Sequence, residues 1–226
     1  MKNFATILFL NLSCSFSSFG QIQDIVQTDG ILNDLHKVNV GKIVFTASNI
    51  PLADLKTGDF LTTFELNKTS NLNIRVFLDN SIINYQHRLA PELTAEVLTV
   101  SGNYQFSFFV DDKFIYKENL HHGCGLKKNT TTTFRVPFTD TQGADFWSVY
   151  FWDRFKRNGG GKALSDGTHK VKVEIRPYVK ISKNDEAIVG DLIAEGQLQL
   201  VIKPKKITTQ QIDIQSIKPN SMRNHE

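Results

Sequence analysis

The chain has 226 residues, with 26 Lys and Arg against 23 Asp and Glu, a formal net charge of +3. Its basic residues are scattered except at Lys203, Lys205 and Lys206. This balance excludes the concentrated positive field of a nucleic-acid-binding domain and gives no polyanion footprint. The length suits one good-sized β domain with small insertions.

The first twenty residues carry one charge, Lys2, then the apolar run 4–12, then the small residues Ser13, Ser15, Ser17, Ser18 and Gly20. This pattern predicts a secretory signal whose apolar stretch is too short to anchor in a bilayer. Ser18 and Gly20 place small residues where the signal peptidase needs them, so the mature chain is expected to start at Gln21 and to be periplasmic or extracellular. A lipoprotein reading through Cys14 is the minor alternative, but Asn11 stands where a lipobox carries Leu. Cleavage removes Lys2, lowering the net charge by one, and removes Cys14, leaving Cys124 alone. No intrachain disulfide can then form, and the fold must stand on its core.

From residue 41 onward strand patterns dominate. Residues 41–48 set Ile43, Phe45 and Ala47 against Val44 and Thr46, and residues 59–67 alternate Phe60, Thr62, Phe64 and Leu66. Residues 71–79 follow, with Leu72, Ile74, Val76 and Leu78 on one side and Asn73, Arg75 and Phe77 on the other. Such period-two runs predict half-buried antiparallel strands. Asn84-Tyr85-Gln86-His87-Arg88 reads as a solvated loop, although its aromatic, imidazole and guanidinium groups suit an anionic or sugar group. Residues 91–98, with Pro91 in the first turn and Glu92 and Glu96 after it, predict a short helix. Residues 104–110 and 114–118 flank Asp111-Asp112-Lys113 as a hairpin, since Asp tolerates the left-handed backbone of tight turns.

Strands are predicted again over 131–138, 167–178 and 191–203. Between them, residues 145–157 read as a helix: Asp145 caps, Trp147, Phe151 and Phe155 fall four residues apart, Lys156 and Arg157 occupy the last turn, and Gly159-Gly160-Gly161 stops it. The expected architecture is all-β: an immunoglobulin-like antiparallel β-sandwich of about eight strands with one or two short helices. The expected organisation is a signal peptide over 1–20, the β-sandwich domain over 21–203, and a linker-like tail over 204–226. That tail is broken by Pro204, Lys205, Lys206, Thr208-Thr209, Gln210-Gln211 and Pro219.

Three constellations are candidates for chemistry. His121-His122-Gly123-Cys124-Gly125 groups soft ligands and a thiol beside imidazoles, but His36, His87 and His169 supply no second ligand pair at tetrahedral spacing, so a glycine-shaped loop is the favoured reading. Ala163-Leu164-Ser165-Asp166-Gly167 departs from a nucleophile elbow by one residue and leads into a strand rather than a helix, which favours a turn. The aromatic group Trp147, Tyr150, Phe151, Trp152 and Phe155, with Asp153, Arg154 and Arg157 beside it, suits sugar stacking or partner docking as well as core cover. Trp147 and Trp152 cannot share a helical face, so one of them is expected to look outward. Trp147, Tyr150, Trp152 and Arg154 are therefore the candidate ligand-binding residues. No catalytic residue, metal site or cofactor is expected.

Several stretches together resemble one family. Residues 71–79, 87–96, 102–111, 167–177 and 189–197 are similar to the N-terminal non-catalytic region of secreted serine hydrolases of the β-lactamase-related, penicillin-binding-protein-like family in Bacteroidota. The likeness runs from about Val38 to Ser221 and includes Ile217-Lys218-Pro219-Asn220-Ser221, which in such proteins leads into the hydrolase. The resemblance implies a secreted accessory domain that orients or recruits substrate or a partner, with a hydrolase domain or a cell-envelope glycan as partner. The hydrolase part of that family uses a Ser-x-x-Lys pair, and no Ser here is followed three residues later by Lys. The chain is thus expected to be the companion of a hydrolase domain that is itself absent. The alternative expectation is a stand-alone glycan- or cell-wall-binding module.

Overall fold

The computed structural model describes residues 23–66, 71–120, 130–139 and 152–204. The expected signal and tail, the His121 to Gly125 cluster, Trp147 and Tyr150 lie outside them. The described residues form a β-rich fold with a few short helices. Its strands are β1 (Lys42–Thr46), β2 (Thr63–Leu66), β3 (Leu72–Phe77), β4 (Gly102–Val110), β5 (Lys113–Leu120), β6 (Thr133–Thr139), β7 (Gly167–Val179), β8 (Ile188–Val189) and β9 (Ala194–Ile202). They join one sheet in the order β5-β4-β7-β9-β1-β3-β6, with β2 on β9 and β8 on β7.

The β4–β5 hairpin forms as its sequence dictates. Asp111 and Asp112 take positive φ of 50° and 64°, the pair of left-handed residues that lets a two-residue turn match strand twist. Asp111 also ties the turn to β7, accepting from the Lys170 backbone N–H at 2.9 Å and meeting His169 Nδ1 at 2.8 Å. The long strand β7 is the spine, pairing antiparallel with β4 on one side and β9 on the other.

Two pairings depart from the antiparallel expectation. β9 runs parallel to β1 at Lys42 and Glu195, and parallel to β2 from Thr63 with Gln199 to Leu66 with Ile202. Both β1 and β2 thus share one edge of β9, joined by a loop that leaves the sheet and returns. Alternation in sequence sets which face a side chain takes, but not the direction of the neighbouring strand. Gly196 sits at this seam, where a Cβ would come within 2.0 Å of the Ile43 carbonyl oxygen; only glycine lets the two backbones approach so closely.

The sheet curls back on itself. β4 and β6 are separated by four strands in the order, yet Tyr104 stacks on Phe134 at 4.4 Å and Phe108 on Phe138 at 5.8 Å. Leu72, Ile74 and Val76 of β3 and Val171, Val173 and Ile175 of β7 complete this interior. Each such side chain, fully buried, contributes about 1.5–3 kcal/mol. The half-buried expectation for β3 is corrected, because all six of its residues are buried. Its second face is covered by the loop after β1: Phe77 and Val44 pack with Leu55, and Ile50, Leu52 and Phe60 lean on them.

The helices correct the sequence reading in three places, one being that helical turns continue over Lys156–Gly160 and Gly161–Ala163, past the stop expected at Gly159-Gly160-Gly161. Residues 84–88 are not a loop but lie in α2 (Ile82–Leu89), which follows α1 (Asp34–Asn39). Ser81 caps α2 by accepting from the Asn84 N–H, and His87 and Arg88 complement its C-terminal end. The next helix, α3, covers Ala95–Ser101 rather than starting at Pro91. Pro91 falls in a turn instead, closed by the Leu93 N–H donating to the Ala90 carbonyl. The hairpin partner β8 was not anticipated; two residues are too short for periodicity to register. Among the described residues no helix is long and apolar enough to cross a membrane.

Candidate functional site

On the outer face of β3 and β6, directly registered positions carry Arg75 opposite Arg135 and Asn73 opposite Pro137, beside an irregularity between Leu72 and Asn73. β6 ends the strand order, which is why it accommodates a proline that cannot donate to a ladder. The Arg135 Nη1 donates to Asn73 Oδ1 at 3.0 Å, and the Arg75 Nη2 donates to the Ile50 carbonyl at 2.8 Å. Burial, and then the neighbouring Arg135 guanidinium, push Arg75 below the usual arginine range. Like charges directly opposite on paired strands destabilise a sheet, so this pair is not explained by stability.

The covering loop stops short of this end of the face. It leaves a cleft of about 180 Å³ lined by Ser48, Asn49, Asn71, Asn73, Arg135 and Thr139, among others. Thr46 helps shape its rim by donating through its hydroxyl to the Ser48 carbonyl at 2.9 Å. Asn73 is 4% exposed. The Asn71 Oδ1 is buried with no hydrogen-bond partner, a costly state for a native side chain unless something else supplies the donor. The cleft therefore presents guanidinium, amide and hydroxyl groups beside Ala47 and Pro137.

The sequence-predicted residues that are described lie elsewhere, at the cover over the curled interior. Trp152 meets Phe138 edge-on at 5.3 Å and stacks on Phe155 at 5.4 Å, with Lys156 Nζ 5.7 Å from its ring. Phe155 is fully buried against Phe108, and Gly160 leaves room for its ring, since a Cβ there would lie 2.4 Å away. Arg154 points another way and pairs through Nη1 with Glu118 Oε1 of β5 at 2.7 Å. The structure thus gives Trp152 and Arg154 separate packing and ion-pair partners and does not bring them into one cleft.

Several other described groups singled out in sequence are engaged, while His87 Nδ1 in α2 is buried with no hydrogen-bond partner. His36 is buried, taking the Leu32 N–H on Nδ1 and lying 2.8 Å from the Leu78 carbonyl through Nε2. In α2, Asn84 holds the backbone of Ile25 and Val26, Arg88 pairs with Asp24 at 3.1 Å, and Tyr85 bonds Asp79. That run anchors the N-terminal segment instead of forming an open ligand site. Burial and the hydrogen bond to Asp79 hold the Tyr85 hydroxyl well above the usual tyrosine range. Among the described residues no three His, Cys, Asp or Glu side chains gather as a metal site.

Sequence reasoning missed Asn73, Arg75 and Arg135 as site residues. The signal was present in part: two arginines stand mid-strand on the side opposite the apolar residues. What joins them is the β3–β6 register, which no local pattern states.

Known protein families and curated proteins offer no match to this chain. Among solved structures, it is similar to the neutron crystallographic structure of a Jonesia denitrificans lytic polysaccharide monooxygenase. The identity is 13% and the TM-score 0.23, over 66% of this chain and 63% of that one. The chain thus spans less than two thirds of that protein's length.

Proposed function

We propose that this chain is an exported, non-catalytic binding domain that recognises carbohydrate through the cleft on the outer face of β3 and β6. The observation that carries the reading is the cleft itself, where amide, hydroxyl and guanidinium groups of Asn49, Asn71, Asn73, Ser48, Thr139 and Arg135 stand beside the apolar Ala47 and Pro137. A sugar suits that mixed lining, because its hydroxyls donate and accept in turn and its ring carbons pack on apolar side chains. In this reading the curled sheet is an immunoglobulin-like scaffold that holds the cleft rigid. The domain serves as the accessory part of a serine-hydrolase-type protein, as the family resemblance implies, by recruiting cell-envelope glycan.

A panel of soluble and insoluble glycans, including cell-wall preparations, tests this by calorimetry and pull-down. Saturable binding that Asn73→Ala weakens at least tenfold, with ester and β-lactam probes left unturned, is the expected result. Absence of binding across all glycan classes overturns it. Trp147→Ala and Trp152→Ala separate this cleft from the aromatic segment: if they abolish binding and Asn73→Ala does not, the ligand sits on the aromatic segment instead.

A further inference from the structure

Exposed apolar side chains gather at one end of the curled sheet, the end away from the cleft. Among the described residues, every large apolar side chain that is 40% exposed or more sits there, except Phe114 at the β4–β5 turn. Val38 closes α1 just before β1, Val100 lies in α3 on the way into β4, Ile181 follows β7, and Leu192 precedes β9. Ile31 and Leu32 join them, because Gly30 accepts from the Thr132 hydroxyl beside the start of β6. Register brings these strand ends together: Lys42 pairs with both Phe77 and Glu195, Phe77 with Thr133, and Gly102 with Val179. Asn49, Asn71 and Thr139 of the cleft belong to the opposite end. Apolar exposure concentrated in this way marks an interaction surface.

We propose that this end is the contact surface of a two-fold dimer, the partner being a second copy of the chain, with β8 running antiparallel to its own counterpart beside the axis. Two observations favour a second copy. The first is the edge that β8 presents. Among the described residues it pairs only with β7, and Ile188 and Val189 are both exposed on it. The other edges are guarded: β6 carries Pro137, β2 carries Glu65, and β5 turns Glu118 inward and pairs through a bulge. β8 has no charge or proline, and a strand that pairs antiparallel with its own copy is two-fold by construction. Two residues make few hydrogen bonds, so the surrounding apolar groups carry the affinity. The second observation is charge. In the loop between β7 and β8, Asp185 accepts from the Ser182 N–H, while Lys180 and Lys183 come before the exposed Glu186. A two-fold contact sets the lysines of one copy against Glu186 of the other, so the loop complements itself. The two clefts then lie at the far ends of the dimer, where both can engage one polymer. The dimer does not depend on the glycan reading.

Sedimentation velocity and light scattering on the purified chain over a concentration series test this. A monomer–dimer equilibrium is expected, and Ile188→Lys, at an exposed position, is expected to weaken it at least tenfold while the thermal melt stays unchanged. Lys180→Glu combined with Lys183→Glu is expected to weaken it as well, and mixing that variant with Glu186→Lys is expected to restore a dimer of the two, a recovery that no folding defect produces. A chain that stays monomeric up to about 200 µM overturns the proposal, as does a dimer indifferent to Ile188→Lys or a series of open-ended oligomers. A monomer that instead sediments with phosphatidylglycerol vesicles assigns the apolar end to a lipid surface and overturns it too. An intact dimer that binds no glycan overturns the glycan reading and leaves this one standing.

Discussion

The two faces of β3 obey different rules. Leu72, Ile74 and Val76 turn into an interior of stacked aromatic rings and branched aliphatics, where each side chain has one role, to exclude water. Asn73 and Arg75, between them in sequence, turn to a face that is equally hidden but polar. There a loop covers Phe77 with Leu55 and then ends, leaving the arginine pair and the cleft. The inner face is built as stability requires. The outer face retains a like-charge pair and an unsatisfied acceptor, both of which cost stability, and such departures collect where a protein binds something.

The sharpest way to break this contrast is on the inner face. Phe108 touches Phe106, Phe138 and Phe155 and is 1% exposed. Phe108→Ala is expected to cost about 3–5 kcal/mol through lost burial and the cavity left behind, read as a fall in urea midpoint. At the seam where β9 meets β1, Gly196→Ala forces a Cβ against the Ile43 carbonyl, a backbone atom that cannot rotate aside; about 3 kcal/mol of destabilisation is expected from overpacking, measured the same way.

The outer face is expected to respond differently. Arg75→Met gives up the bond to the Ile50 carbonyl but relieves a buried charge and its repulsion by Arg135. Stability is expected to stay within about 1 kcal/mol of the parent or to rise. A loss of several kcal/mol on unfolding would show that the pair is structural after all. Glycan affinity, by contrast, is expected to fall, so the same variant separates the two roles.

The smallest effect lies off both faces, at the β4–β5 turn. The hydrogen bond to Asp111 raises the His169 imidazole above its ordinary 6.5, and the same contact lowers Asp111 below 3.8. The histidine's contribution is therefore complete below 6.5 and fades as pH rises through the raised value. That of Asp111 is present above 3.8 and fades as pH falls through the lowered value. Stability gained from the pair is largest between those two ordinary values. Because Asp111 is half exposed, solvent screening keeps the effect under about 0.5 kcal/mol. Asp111→Asn is expected to flatten this small dependence in thermal melts across pH 3 to 8.

Much of the fold was legible. Alternation located β1, β3, β4, β5, β6, β7 and β9 because a strand whose two faces meet different surroundings writes them into every second residue, as β3 does with one apolar face and one polar face, both buried. Asp111-Asp112 announced the hairpin because few residues tolerate two successive left-handed positions. The run 84–88 misled for the opposite reason: its polar side chains look solvated, yet Asn84 and Gln86 are buried by partners distant in sequence, Val26 and the Tyr178 carbonyl. Trp152 and Arg154 were expected to bind a ligand; the partners they have in the fold, Phe138 of β6 with Phe155 and Glu118 of β5, are set by segments that no local pattern names.

By itself, the sequence determined which residues form strands, where the tight turn falls and which side of each strand is apolar. These are local properties, set by side-chain shape and backbone preference over a few residues. Only the tertiary structure decided that β2 runs parallel to β9, that the sheet curls until Phe108 meets Phe138, and that Arg75 faces Arg135. Those depend on register and closure between segments tens of residues apart, where the free energy comes from packing the whole interior at once.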